Sequence, residues 1–128
     1  MNIEPISLKE KFKKFNDHWS PKIIGEMNDY HFKLAKVKGD FVWHHHQETD
    51  ETFFVISGKL NIELKDTSIR LNDGEMVIIP KGVEHRPYAK DECLIMLIEP
   101  KNVKNTGNIK NELTVCLLYT SDAADDKC

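Results

Sequence analysis

The sequence predicts an all-β domain, a sandwich or a barrel, and three observations carry that expectation. Short apolar runs recur every eight to twelve residues, with Gly, Asp, Asn or Pro between them. Several of these runs alternate in hydrophobicity with a period of two, as a half-buried strand does. Strands do not alternate with long helical patterns, which argues against a parallel α/β sheet.

Taken in order, residues 7–15, SLKEKFKKF, read as the one helix. Ser7 caps it, with Glu10 three positions on as the capping-box partner, and Leu8, Phe12 and Phe15 share a face. So short a helix has to dock on something to be stable. After Pro21 the pattern changes. YHFKLAKV (30–37) alternates, with Phe32 and Leu34 facing one way and Lys33 and Lys36 as polar interruptions. FFVISGKLNIEL (53–64) is two strands broken at Ser57-Gly58, the second placing Leu60, Ile62 and Leu64 on one face. TSIRL (67–71) and MVIIP (76–80) are short strands separated by the turn Asn72-Asp73-Gly74. HRPYAK (85–90) is extended, and ECLIMLIEP (92–100) is the most apolar strand. KNVKNTGNIKN (101–111), with four Asn and a Gly, reads as a loop.

These segments divide the chain into a helix and lead-in strand (1–29), a barrel core (30–100), and a polar loop with the segment that follows it (101–115). Residues 116–128, CLLYTSDAADDKC, break the preceding rhythm, and most of them match the translation of a transposon sequencing adapter. They are set apart from the fold, which leaves Cys93 as the one cysteine to interpret, and the natural C-terminus is expected to differ.

The composition excludes several functions. Charged residues make up 30% and the net charge is −3, without the basic stripe that nucleic-acid binding requires. No apolar run is long enough to span a bilayer. The N-terminus, MNIEPISLKEKF, lacks the layout of a signal peptide, so a cytoplasmic protein is expected. Cys93, Cys116 and Cys128 form no spaced metal or disulfide pattern.

The chemistry concentrates in WHHHQETDE (43–51), which holds three of the six histidines. Alternate side chains of a strand share a face, so His44 and His46 point together and His45 points away. If QETD turns the chain back, Glu51 reaches the same point, and His85 supplies a third imidazole. Three imidazoles and a carboxylate suit a divalent transition metal, and an octahedral shell would keep two positions open. The alternative is a barrel that uses these histidines only for packing and hydrogen bonds. Asp50 is an alternative carboxylate if the turn shifts by one, and Glu48 reads as a solvated turn residue. His18 and His31 read as surface or satisfied structural residues. Trp43, Phe53, Phe54 and Tyr88 are candidates for a pocket wall, although aromatic strand residues are more often core. Arg86 is a candidate for an anionic group, but it alternates out of phase with His85. Cys93 reads as a small buried apolar residue.

Two spaced motifs resemble those of the cupin superfamily. The first is Gly39…His44-x-His46-xxxx-Glu51-xxxxxx-Gly58 and the second is Gly74-xxxxx-Pro80-x-Gly82-xx-His85. The chain departs from the pattern at Gly39, one residue closer to the first His than usual, and at Ala89, where the family often carries Asn. PKGVEHRPYAKDECLIMLIEP…NTG is similar to small bacterial single-domain cupins. The resemblance covers roughly residues 30 to 100. It implies a double-stranded β-helix, a jelly-roll barrel with its metal inside one mouth. The implied ligands are His44, His46, Glu51 and His85, and the metal is Mn, Fe, Co, Ni, Cu or Zn. It also implies a small-molecule ligand or substrate and a homodimer. As an enzyme, such a protein would be an isomerase acting on a sugar or sugar phosphate, or a dioxygenase. As a binding module, it would hold a small molecule on the metal.

Overall fold

The computed structural model describes residues 3–101 and 103–107, and the backbone of 118–119. The helix α1 spans Leu8–Phe12, shorter than its apolar stripe suggested. The Ser7 hydroxyl accepts a hydrogen bond from Glu10 N at 3.2 Å, satisfying one of the N–H groups a helix start leaves orphaned. Strands follow at β1 (Lys22–Met27), β2 (Tyr30–Asp40), β3 (Glu51–Ser57), β4 (Leu60–Glu63), β5 (Ser68–Leu71), β6 (Met76–Ile79) and β7 (Arg86–Pro100), with a two-residue β8 (Leu118–Tyr119).

The described strands form an antiparallel barrel, apart from β8, which pairs parallel with β1. The sheet runs β5-β4-β7-β2-β1-β8, and β3 pairs with both β6 and β7. The long β7 organises it. One edge of β7 pairs with β2 from Tyr88 to Pro100. Its other edge pairs first with β4, at Arg86–Tyr88, and then with β3, at Leu94–Ile98. The two segments read separately from sequence, 85–90 and 92–100, are therefore one strand. This is the all-β jelly roll with one short N-terminal helix that the motifs implied. Of the adapter-like segment, residues 116–117 and 120–128 lie outside the described residues, as do residues 108–115 of the polar segment.

The core fills the barrel with Ala35, Val37, Phe41, Phe53, Val55, Leu60, Ile62, Ile95 and Leu97, among others. A second cluster sits outside the sheet, where Phe12 and Phe15 pack on Leu34 and on the outer side chains of Ile24, Ile56, Leu94 and Met96. The predicted docking of the helix is thus onto the outer face of β2. Two apolar layers bury β2 from both sides, so hydrophobicity alone does not mark its inner face. At the β3–β4 turn, Gly58 has φ +111° and Cys93 Cα would stand 3.1 Å from an added Cβ, so a side chain there would be both strained and crowded. No helix among the described residues is long and apolar enough to cross a membrane.

Candidate metal centre

Four side chains from three chain segments meet inside one mouth of the barrel. His44 and His46 come from the link between β2 and β3, Glu51 opens β3, and His85 immediately precedes β7. His44 and His85 are pinned to each other by two backbone hydrogen bonds, His44 N to His85 O (3.0 Å) and His85 N to His44 O (2.9 Å). Gly82 N donates to His46 O at 2.8 Å, so the Pro80–Gly82 bend fixes the other histidine. Glu51 is held in register opposite Ile79.

One potential ligand atom from each of His44, His46, Glu51 and His85 lies within 4.8 Å of all the others, and all four residues are buried. Glu51 Oε1 is 3.0 Å from His46 Nε2 and 3.1 Å from His85 Nε2. The opposite ring nitrogens of two of the histidines face backbone. His44 Nδ1 donates to Val42 O and His85 Nδ1 to Val83 O, each at 2.9 Å. Those bonds place a proton on each Nδ1 and turn both Nε2 atoms into the cluster, where the His85 Nε2 meets Glu51. His44 Nε2 is buried with no hydrogen-bond partner among the described residues.

The electrostatics differ from ring to ring. Burial is the main force on His44 and lowers its pKa to about 4. Burial also pulls His46 down, but its contact with the Glu51 carboxylate outweighs that and leaves its pKa raised. For Glu51, burial favours the neutral acid, yet the contacts with His46 and His85 hold it well below the usual carboxylate range.

The surroundings are asymmetric. Inward from His44 and Glu51 lies a cavity of about 20 Å³, walled mainly by Trp19, Phe41, Phe53, Ile95 and Leu97, and room for one water-sized molecule. Phe41 meets the His44 ring edge-on at 5.4 Å, and Trp19 stacks on Phe41 at 4.7 Å. Outward, His46 borders an open cleft of about 370 Å³ that continues along Gln47, Glu48, Thr49, Val103, Lys104 and Gly107. Gly107 crosses so close over His44 and His45 that a side chain there would collide with His45 O. The polar segment after the barrel therefore forms one wall of the mouth.

Other sequence candidates fall elsewhere. His45 faces away and contacts Glu84 at 3.0 Å and Gln47 at 3.2 Å. Asp50 is exposed and accepts from Lys81 N, and Glu48 is exposed. Of the four aromatic candidates, Phe53 lines the cavity. Trp43 is exposed, and Phe54 and Tyr88 lie on the outer face. Arg86 is engaged by Glu63 and Asp40. His18 pairs with Glu92 at 2.7 Å. Cys93 is buried, and burial pushes its thiol up to about 11, which makes it inert.

Sequence reading missed a buried charged pair. Lys33 Nζ lies 2.8 Å from Glu99 Oε1, with both side chains buried inside the barrel, and donates to Val103 O at 3.3 Å. Burial, together with the nearby Glu51 charge, raises the Glu99 carboxyl to about 7 against the pull of Lys33. His31, expected at the surface or satisfied, is buried, with Nδ1 unpartnered among the described residues. The signal was phase: His31, Lys33, Ala35 and Val37 share a face, as do Cys93, Ile95, Leu97 and Glu99.

Comparison with known proteins agrees with this architecture. Residues 30–99 match the model of the family described as Cupin domain. The Bacillus subtilis (strain 168) protein YdbB is 34% identical over 98 residues, covering 76% of this chain and 80% of that one. A crystal structure of a cupin-2 domain containing protein from Shewanella frigidimarina NCIMB 400 is 59% identical. It superposes with a TM-score of 0.75, over 75% of this chain and 94% of that one. Protein NMB1881 from Neisseria meningitidis is 34% identical, with a TM-score of 0.70, over 77% of this chain and all of that one (100%).

Proposed function

The chain belongs to the cupin family, and on that premise we propose that it binds one divalent transition metal through His44, His46, Glu51 and His85 and holds a small molecule at the open positions. One observation carries this reading. Two buried imidazoles have their Nδ1 protons committed to backbone carbonyls, so their Nε2 atoms turn toward a single ionised carboxylate, and that of His44 has no partner among the described residues. Imidazole nitrogens and a carboxylate so arranged need positive charge between them, supplied by protons on the rings or by a metal ion in their place. Three imidazoles and one carboxylate accept Mn, Fe, Co, Ni, Cu or Zn. When bound, such an ion would act as a Lewis acid toward a ligand oxygen. The chain's own residues hold and orient it: Val42 O and Val83 O fix two rings, and the aromatic wall keeps bulk water from the inner side.

A metal-dependent enzyme is the second reading, and the Lys33–Glu99 pair favours it, because it places a proton-handling group beside the ligands. An isomerase of sugars or a dioxygenase both remain in this class. A phosphorylated substrate is less favoured, since Arg86 is already engaged by two carboxylates.

Elemental analysis of the full chain, purified without chelator, tests the metal. About one equivalent is expected in the wild type. A His44→Ala/His46→Ala variant should hold none. A wild type that neither carries nor takes up any transition metal on reconstitution would sink the reading.

We also infer a homodimer through the outer sheet face. Cross-strand neighbours Met76–Phe54 and Ile78–Thr52–Ile98–Phe32 form a largely apolar surface beside the helix-covered Met96, with Met76 50% and Ile78 55% exposed. Ile78→Glu should shift the sedimentation coefficient from dimer to monomer; an unchanged coefficient would remove this face from consideration.

A further inference from the structure

We propose that Glu99, clamped by Lys33, anchors a hydroxyl of the molecule that occupies the metal centre, so that the site selects ligands carrying an O–H on the carbon adjacent to the one that bears the coordinating oxygen. This rests on the metal-binding reading above and adds a ligand class to it.

The argument starts from the ladder. Thr52 pairs with Ile98, so one step further along the same two strands Glu51 and Glu99 stand side by side, both facing the interior. Directly facing residues on neighbouring strands have Cβ atoms about 5 Å apart. A group reaching from a metal on Glu51 to the Glu99 carboxylate therefore spans about two bonded carbons. Lys33 holds only one Glu99 oxygen. The other, Oε2, is buried and has no partner among the described residues. On the other side of Glu99, His31 is its register partner, and its Nδ1 is buried and equally without a partner. Buried polar atoms are normally satisfied, and an unmet carboxylate oxygen is among the costliest to leave bare. Two such atoms on adjacent strands, in the same row as Glu51, offer polar partners to a guest at the metal centre. Lys33 donates to the other oxygen and favours the ionised carboxylate, in which Oε2 accepts and a guest that satisfies it donates. A small 2-hydroxy acid, hydroxyketone or vicinal diol meets both demands.

The probes are glycolate and methoxyacetate, which differ only in whether the oxygen beside the carboxylate carries a proton. Each is titrated into the cobalt(II)-loaded full chain by visible absorption, and into aqueous cobalt(II) as the baseline for chelation alone. The wild-type preference for glycolate should exceed the aqueous preference by about tenfold. The variant Lys33→Met/Glu99→Leu removes the anchor while leaving no unpaired charge, and its preference should fall to the aqueous value with cobalt content intact. Glu99→Asp, which keeps the ion pair but draws the free oxygen back, should lose most of the preference too. A wild-type preference equal to the aqueous one overturns the proposal and makes Glu99 Oε2 a seat for structural water. A preference that survives in both variants also overturns it. If the wild type takes up no cobalt, the metal reading itself has failed, and its metal content distinguishes that result from the others.

Discussion

The two ends of the candidate metal centre sit in opposite environments. Around His44 the walls are aromatic and aliphatic, and burial drops the imidazole to about 4. Around His46, a few ångströms away, the interior carries Glu51, Glu99 and Lys33, and the imidazole is raised instead. The same residue type two positions apart along the chain is thus neutral on one side and inclined to hold a proton on the other. The contrast teaches that the barrel interior is not one solvent. Its dry half supplies stability and excludes water. Its charged half costs stability and supplies polar groups beside the ligand set.

The sharpest way to break that contrast is to remove one member of the charged pair. Lys33→Met leaves Glu99 buried without its cation and should cost about 3–5 kcal/mol in urea unfolding. Replacing both, Lys33→Met/Glu99→Leu, should recover most of that loss. If the single variant were as stable as the double, the pair would not be desolvated in the folded protein.

Acid sharpens the comparison by a smaller amount. His46 has to give up a proton that Glu51 helps it retain, whereas His44 holds none above about pH 4. A ligand whose folded-state pKa is raised competes with metal from above the ordinary imidazole range downward. Apparent cobalt affinity should therefore fall as the pH drops from about 8 to about 6, by up to tenfold per unit for each proton displaced. A flat profile across that interval would contradict the raised His46. The smallest effect is expected on the dry side. Ile95→Val enlarges the inner cavity by one methylene and should cost about 0.5–1.5 kcal/mol, with metal content and cobalt spectrum unchanged. A spectral shift would show that this wall touches the coordination shell.

Much of this was legible in the chain. The period-two runs and turn residues gave the β-class, and two motifs placed four ligand candidates that the fold does bring together. What stayed hidden has physical reasons. Lys33 read as an interruption because Phe32 and Leu34 set the apparent inner face, yet Leu34 is buried against Phe12 and Phe15 outside the sheet. Glu99 sat at the end of an apolar strand, where a polar residue ordinarily marks the exit to solvent. Trp19 and Phe41, outside the predicted strands, gave no periodic signal. Gly107 looked like any loop glycine, because the close passage over His44 depends on a contact made across some sixty residues of chain.

The reciprocal hydrogen bonds between His44 and His85 have a thermodynamic consequence. They close the barrel seam with the same two residues that would grip the ion, so loading and seam closure are linked equilibria. With metal bound, the melting temperature would become a function of free metal concentration, the stabilisation growing as the logarithm of one plus the ratio of free metal to Kd. Two preparations identical in covalent structure would differ in lifetime if one was raised on scarce metal. For a metal-loaded barrel, the ionic composition of the surroundings would be a stability variable on the same footing as a core substitution.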